Sequence, residues 1–190
     1  MDVVIASNNK HKIKEIKEIL QDKFDNLYSL AEANINCDPD ETGKTFLENA
    51  QIKAREIAKH TSCAVLSDDT GLCVHALDKQ PGVYSARYAG EQGNDNLNRD
   101  KLLYNLQGKV DRTAHFETVV ILHYPNGTEI VATGRVDGYI LPEETGTAGF
   151  GYDCIFFCDD LNKSFGLATD EEKNSVSHRG RALRNLLTKL

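Results

Sequence analysis

The opening strand-turn-helix pattern does most to limit what this chain can fold into. Val3-Val4-Ile5-Ala6 is an uninterrupted apolar run, which reads as a buried strand. Ser7-Asn8-Asn9 supplies turn and capping chemistry, and the stretch from Lys10 to Phe24 carries apolar residues at 13, 16, 20 and 24. Those steps of three and four predict a helix with one apolar stripe. The pattern then alternates along the chain. Residues 31–43 form an acidic, irregular connection. Thr45 with Glu48 makes a capping box ahead of a second helix whose buried face is Phe46, Ala50, Ala54 and Ile57.

Asn94 can cap a third helix that includes Leu97, Leu102, Leu103 and Leu106. Two β-rich runs, about 113–124 and 128–140, flank Pro125-Asn126-Gly127, a strong hairpin signal. Residues 155–157 read as a short strand, Thr169 with Glu172 as another capping box, and Arg181 to Leu190 as a closing helix. Strands, helices and a hairpin in this order predict an α/β fold with a mixed sheet.

A chain of 190 residues with 40% hydrophobic content fits one sizeable domain, with room for two lobes. Its apolar runs are far too short to span a membrane, and the N-terminus lacks the features of a signal peptide. The expected location is cytoplasmic. Five cysteines, an odd count without a CxxC pair or metal-ligand spacing, argue against both a disulfide framework and a zinc site. The net charge of −7 weighs against a general nucleic-acid binder. Basic residues nevertheless cluster at 10–17 and again after Glu172, a distribution that suits a small polyanion.

Against that background, Asp68-Asp69-Thr70-Gly71 stands out. It lies just after Ala64-Val65-Leu66 and just before Leu72-Cys73-Val74, which reads as a strand ending in a turn with two carboxylates at its mouth. Adjacent acids repel, and a protein keeps them together mainly for a cation or for proton transfer. An aspartate-rich β-turn accounts for the same residues.

Four further clusters suit a metal-bound phosphate, and each has an ordinary structural explanation beside it. Ser7 to Lys12 offers helix-start N–H groups and lysine charge to an anion, or is simply an Asn cap followed by solvated lysines. Glu41 offers a carboxylate to a hard cation beside Asp68 or Asp69, while Asn49 and Lys53 share a helix face. A solvated acidic loop would look the same. Gly149 to Asp153 combines close backbone approach with aromatic faces, or is a glycine-rich hairpin with core aromatics. Ser177-His178-Arg179-Gly180, with Lys173 upstream, suits a polar ligand, or is a capped helix with basic residues.

Taken in order, these motifs resemble the inosine/xanthosine triphosphate pyrophosphatase family nearly end to end. The series is Ser7-Asn8-Asn9 to Lys12, Glu41-Thr42-Gly43 with Glu48-Asn49-Ala50, and Asp68-Asp69-Thr70-Gly71-Leu72. Pro81-Gly82 with Tyr84 to Tyr88, Phe150-Gly151-Tyr152-Asp153, and Lys173 with Ser177-His178-Arg179-Gly180 complete it. The resemblance implies an elongated, two-lobed α/β fold with a central mixed twisted sheet flanked by helices around a cleft. It also implies a homodimer, a magnesium requirement, and cleavage of ITP, dITP and XTP to monophosphate and pyrophosphate.

By the same resemblance, Ser7, Asn8, Asn9, Lys10, His11 and Lys12 hold the triphosphate. Asp69 is the general base and a magnesium ligand, and Glu41 is the second acid at the metal. Thr70 touches the substrate, while Phe150, Gly151, Tyr152, Asp153, Lys173, His178 and Arg179 surround base and sugar. Two positions depart from the common pattern: Ser7 stands where many relatives have Thr, and Cys154 where Pro is common. Asp40 beside Glu41 leaves the choice of metal-binding acid open. Other readings share parts of the pattern: a pyrophosphatase for pyrimidine or methylated nucleotides, an aspartyl-nucleophile phosphatase, or a non-catalytic nucleotide sensor.

Overall fold

A computed structural model describes residues 1–190. Its elements run β1 (Asp2–Ile5), α1 (Lys10–Leu20), β2 (Asn26–Ser29), α2 (Phe46–Ala58), β3 (Ala64–Val74), α3 (Asp95–Asn105), β4 (Thr113–His123), β5 (Glu129–Ile140), β6 (Phe156–Cys158), β7 (Lys163–Ser164), α4 (Asp170–Val176) and α5 (His178–Leu187). A seven-stranded sheet has the order β2-β1-β3-β4-β5-β6-β7. β1 pairs in parallel with β2 and β3, whereas β6 pairs antiparallel with β5 and β7. The sheet is therefore mixed, as the alternating sequence pattern predicts. No helix is long and apolar enough to cross a membrane.

The chain divides into two compact units: residues 1–69, 118–134 and 179–190 form one, and residues 70–117 and 135–178 the other. In the first, the period-two alternation of the strands sorts the core. Val3, Ile5, Ala64 and Leu66 pack with Ile16 and Leu20 of α1 and with Ala182, Leu183 and Leu186 of α5. The intervening Val4 and Val65 pack with Ile57 of α2, while Ala50 and Ala54 of α2 meet Val119 and Ile121 of β4. The Thr45 capping box is formed as its sequence spacing requires.

The second unit has its own core, in which Leu72 and Val74 pack with Leu102, Leu106, Phe116, Val136, Ile140, Phe156 and Phe165. In the first unit, Pro125-Asn126-Gly127 is the β4–β5 turn, with Tyr124 N–H donating to the Thr128 carbonyl at 2.8 Å. Gly127 sits at φ 85°, where an L side chain is disfavoured.

Three local expectations differ from the fold. β3 does not stop at the acidic pair but continues through Asp68, Asp69, Thr70 and Gly71 to Val74. The first helix ends at Leu20 rather than Phe24, and the last begins at His178. β2 and β7 carry no readable period, being only 4 and 2 residues long.

His115, on β4, sets an acid limit on stability. It is 3% exposed, and its Nδ1 lies 3.1 Å from Nε2 of His75. Burial, with Arg135 and His75 adding like charge, pulls its pKa from 6.5 down to about 4. The unfolded chain therefore takes up this proton at higher pH than the folded chain does. Stability from this group is complete above pH 6.5 and is lost as the pH falls through about 4, a decrement of about 3 kcal/mol. Urea denaturation from pH 7 to pH 4 should show a shallower decline for His115→Gln than for the parent; identical slopes would contradict the assignment.

Candidate active site

Every acidic and basic group expected at the triphosphate falls in the first unit, and strand geometry explains the arrangement. Successive β3 side chains point to opposite faces. Asp68 continues the face of Ala64 and Leu66 towards α1 and α5, and Asp69 continues the face of Val65 towards α2. Two adjacent carboxylates thus avoid each other, and each meets its own cations.

Asp68 is buried among positive charges. Its Oδ2 lies 3.1 Å from Lys12 Nζ and accepts from Arg179 Nε at 3.2 Å and Nη2 at 3.1 Å. Arg179 is itself buried, and its Nη1 donates to Glu15 Oε2. Glu15 and Lys12 are three residues apart, so α1 presents both from one side. Burial pushes the Asp68 carboxyl up, but Lys12, Arg179 and Lys53 outweigh it and hold it well below the usual carboxylate range. The same burial pulls the Lys12 ammonium down. Asp68 is therefore a fixed anion at neutral pH, unsuited to accepting a proton.

Asp69 differs. Asn49 Nδ2 donates to its Oδ2 at 3.0 Å, and Lys53 Nζ lies 3.8 Å from its Oδ1. The Lys53 ammonium also reaches Glu41 Oε1 at 2.8 Å and the Asp68 carbonyl at 2.6 Å. Burial raises the Asp69 pKa and Glu41 adds to the rise, against the opposing pull of Lys53, Lys12 and Asn49. A carboxyl raised in this way is a better proton acceptor than its neighbour.

Asn49 also fixes the preceding loop, since its Oδ1 accepts from Gly43 N–H at 2.8 Å. A Cβ on Gly43 would lie 2.6 Å from that oxygen, so only glycine permits the contact. Glu41 and Asp69 converge on one ammonium, and their hard oxygen donors suit a divalent cation of the magnesium type.

The Ser7–Lys12 segment has a capped helix start. Asn9 Oδ1 accepts from the N–H groups of His11 and Lys12 at 3.0 and 3.2 Å. Ser7 Oγ accepts from Asn9 N–H at 3.1 Å, and Asn8 Nδ2 donates to Asp38. Lys12 turns inward to Asp68, while Lys10 and His11 are exposed.

The groups expected around base and sugar, Arg179 excepted, fall in the second unit. Lys173 Nζ donates to Asp153 Oδ2 at 2.6 Å and lies 4.6 Å from the centre of the Phe150 ring. The same Asp153 oxygen accepts from Phe150 N–H at 2.8 Å. Gly149, at φ 75°, passes so close that an added Cβ would lie 2.1 Å from that oxygen. Gly151 N–H donates to Asp95 Oδ2 at 2.8 Å. Tyr152 is a core residue whose hydroxyl donates to the Ser85 carbonyl at 2.7 Å. His178 stacks on Phe116, with ring centres 4.7 Å apart. Thr70 is half-buried on β3, next to Asp69.

Asn49 and Lys53 carry more of this site than their sequence reading assigned, although their four-residue spacing signalled a shared face. Glu15 gave no signal, because its partner Arg179 lies 164 residues away.

Comparison with known proteins places these arrangements in a family. A dITP/XTP pyrophosphatase of Clostridium perfringens is 49% identical over 96% of this chain and 94% of its own length. The dITP/XTP pyrophosphatase of Bacillus subtilis is 44% identical over 97% and 94% respectively. Among solved structures, the Staphylococcus aureus Ham1 protein superposes with a TM-score of 0.88 at 40% identity, covering 100% of this chain and 97% of that one. A HAM1 protein from Coxiella burnetii gives a TM-score of 0.89 at 38% identity, with both chains fully covered. The model of the Ham1 family matches residues 3–189, and the chain belongs to that family.

Proposed function

We propose that this protein is a pyrophosphohydrolase that cleaves ITP, dITP and XTP to the nucleoside monophosphate and pyrophosphate, clearing non-standard purines from the nucleotide pool. The observation that carries the reading is the contrast on β3: Asp69, whose pKa burial raises, converges with Glu41 on Lys53, and Asp68, held low, pairs with Lys12 and Arg179. The dITP/XTP pyrophosphatases that match nearly the whole chain support it.

In this reading Asp69 accepts the proton of the attacking water, and Asn49 holds the carboxylate in position through Oδ2. Lys12 and Lys53 supply positive charge for the triphosphate and for the pyrophosphate that leaves. Asp68 keeps Lys12 oriented and takes no proton. Glu41 and Asp69 would hold the magnesium ion, which when bound neutralises phosphate charge and orients the water.

Phe150, Asp153, Lys173 and His178 form the proposed surroundings of base and sugar. Donors there pair with the C6 oxygen of inosine and xanthosine and are left without a partner by the adenine amino group. Such a loss costs roughly 1–3 kcal/mol per group, and together these losses amount to about 10²-fold discrimination or more. Guanine shares the C6 oxygen, so its rejection falls to the C2 amino group, a donor where xanthine carries an acceptor oxygen and hypoxanthine only hydrogen; N–H groups of the 149–153 loop facing C2 would be left without a partner by it. The proposal includes a homodimer and a cytoplasmic location, in line with the resemblance.

The decisive experiment is a panel of ITP, dITP, XTP, ATP and GTP with magnesium, scoring both products. ITP, dITP and XTP should be cleaved about 10²-fold more efficiently than ATP or GTP, with pyrophosphate released and activity lost on chelation. Release of single phosphates, equal use of ATP and ITP, or full turnover after chelation would each overturn the reading. Binding without cleavage would favour a nucleotide sensor.

A further inference from the structure

Three side chains of metal-binding type meet near the C-terminal end of α2, in the first unit. Cys37 comes from the irregular connection after β2, Glu56 lies in the last turn of α2, and His60 follows just past its end. One ligand atom from each, the Cys37 sulfur, a Glu56 carboxylate oxygen and a His60 ring nitrogen, lies within 4.8 Å of the other two. Cys37 forms no disulfide. Glu56 and His60 are four residues apart, a spacing that puts both side chains on one face of the chain as it leaves the helix.

We propose that Cys37, Glu56 and His60 form a binding site for a borderline divalent transition metal, zinc above all, with water completing a tetrahedral set. Thiolate, imidazole and carboxylate are the three donor types zinc takes from proteins. Bonds of about 2.0–2.3 Å in a tetrahedron separate the ligand atoms by roughly 3.3–3.7 Å. Closing the observed spacing needs only about 1 Å of side-chain movement, available to an exposed His60 and a half-buried Glu56. The Cys37 thiol proton passes to solvent as the sulfur–metal bond forms.

Electrostatics favour a cation here. The last carbonyls of α2 carry the negative end of the helix dipole. The Lys59 ammonium already contacts Glu56 Oε2, so one cation is drawn to the position that a metal would take over. The donor chemistry also separates this site from Glu41 and Asp69, whose oxygen-only set prefers magnesium. A metal at Cys37 would fasten the connection carrying Glu41, four residues further on, to the helix carrying Asn49 and Lys53.

The test is titration of the reduced full-length protein with cobalt(II) under excess magnesium and without nucleotide, followed by displacement with zinc. A thiolate-to-cobalt charge-transfer band should saturate at one metal per chain and vanish on adding zinc. Cys37→Ser should abolish the band, while Cys63→Ser should leave it intact. His60→Ala should weaken binding by about tenfold or more, and Lys59→Ala, which removes the competing cation, should tighten it. If Cys37→Ser does not fold, the His60→Ala and Lys59→Ala shifts in opposite directions carry the test. No band in the parent, a band that survives in Cys37→Ser, or unchanged affinity in His60→Ala would overturn the proposal. Because no nucleotide is present, the result stands apart from the pyrophosphatase reading.

Discussion

Asp69→Asn is expected to fold like the parent and to lose on the order of 10²–10⁴ in turnover, the usual effect of removing a positioned base. The substitution keeps the shape of the side chain. The amide oxygen can still accept from Asn49, which now reaches Asp69 Oδ2 at 3.0 Å. What disappears is the proton-accepting oxygen and one negative charge in the group around Lys53, where Glu41 and Asp68 remain. Because burial already works against the charge on Asp69, the variant should unfold at or slightly above the parent midpoint. Parallel measurement of thermal unfolding and of pyrophosphate release separates the two consequences. A folded variant with close to parental turnover would remove Asp69 from the role of base.

Arg179→Met should cost about 3–5 kcal/mol of stability, because it breaks a buried charge network on one side only. Arg179 bridges Asp68 and Glu15, and both carboxylates stay in place when it is removed. Lys12 still neutralises part of the Asp68 charge, whereas Glu15 loses its ion pair with Arg179. The pH dependence has a defined sign. In the parent the Asp68 pKa is held far below its unfolded value, so its stabilising contribution is present above the unfolded pKa and is lost as the pH falls through the folded one. Weakening that depression in the variant removes stability that exists at neutral pH. Between pH 7 and pH 2, the gap between the parent and Arg179→Met should therefore hold nearly steady down to about pH 4, near the unfolded carboxylate value, and narrow only below it.

Arg179→Lys restores a charge but not the forked contact with Asp68 Oδ2, and should recover only part of the loss. Urea denaturation across this pH range measures all three proteins. A Met variant within about 1 kcal/mol of the parent throughout would show that the network adds little.

The contrast between these two aspartates marks how far the sequence could be read. The amphipathic helices were legible because their apolar residues recur at a local period: 13, 16 and 20 in α1, and 50, 54 and 57 in α2. The β4–β5 turn and both capping boxes were legible for the same reason, as each is a chemical pattern spanning a few consecutive residues. The mixed α/β class follows from the order of those elements, and the Ham1 motifs lie along the chain in family order.

The path of the backbone through Asp68-Asp69-Thr70-Gly71 was not legible. Locally the four residues read as a turn, since nothing nearby in sequence neutralises two adjacent acids. The groups that do, Lys12, Lys53, Asn49 and Arg179, come from three different helices. With them in place the segment stays extended, and its alternation sends one carboxylate to each face of the sheet. The sequence alone determines which elements form and which residues are chemically equipped for the site. Which aspartate stays charged, which one can take a proton, and that Glu15 is involved at all are decided by tertiary structure, because those properties depend on burial and on charges up to 164 residues away.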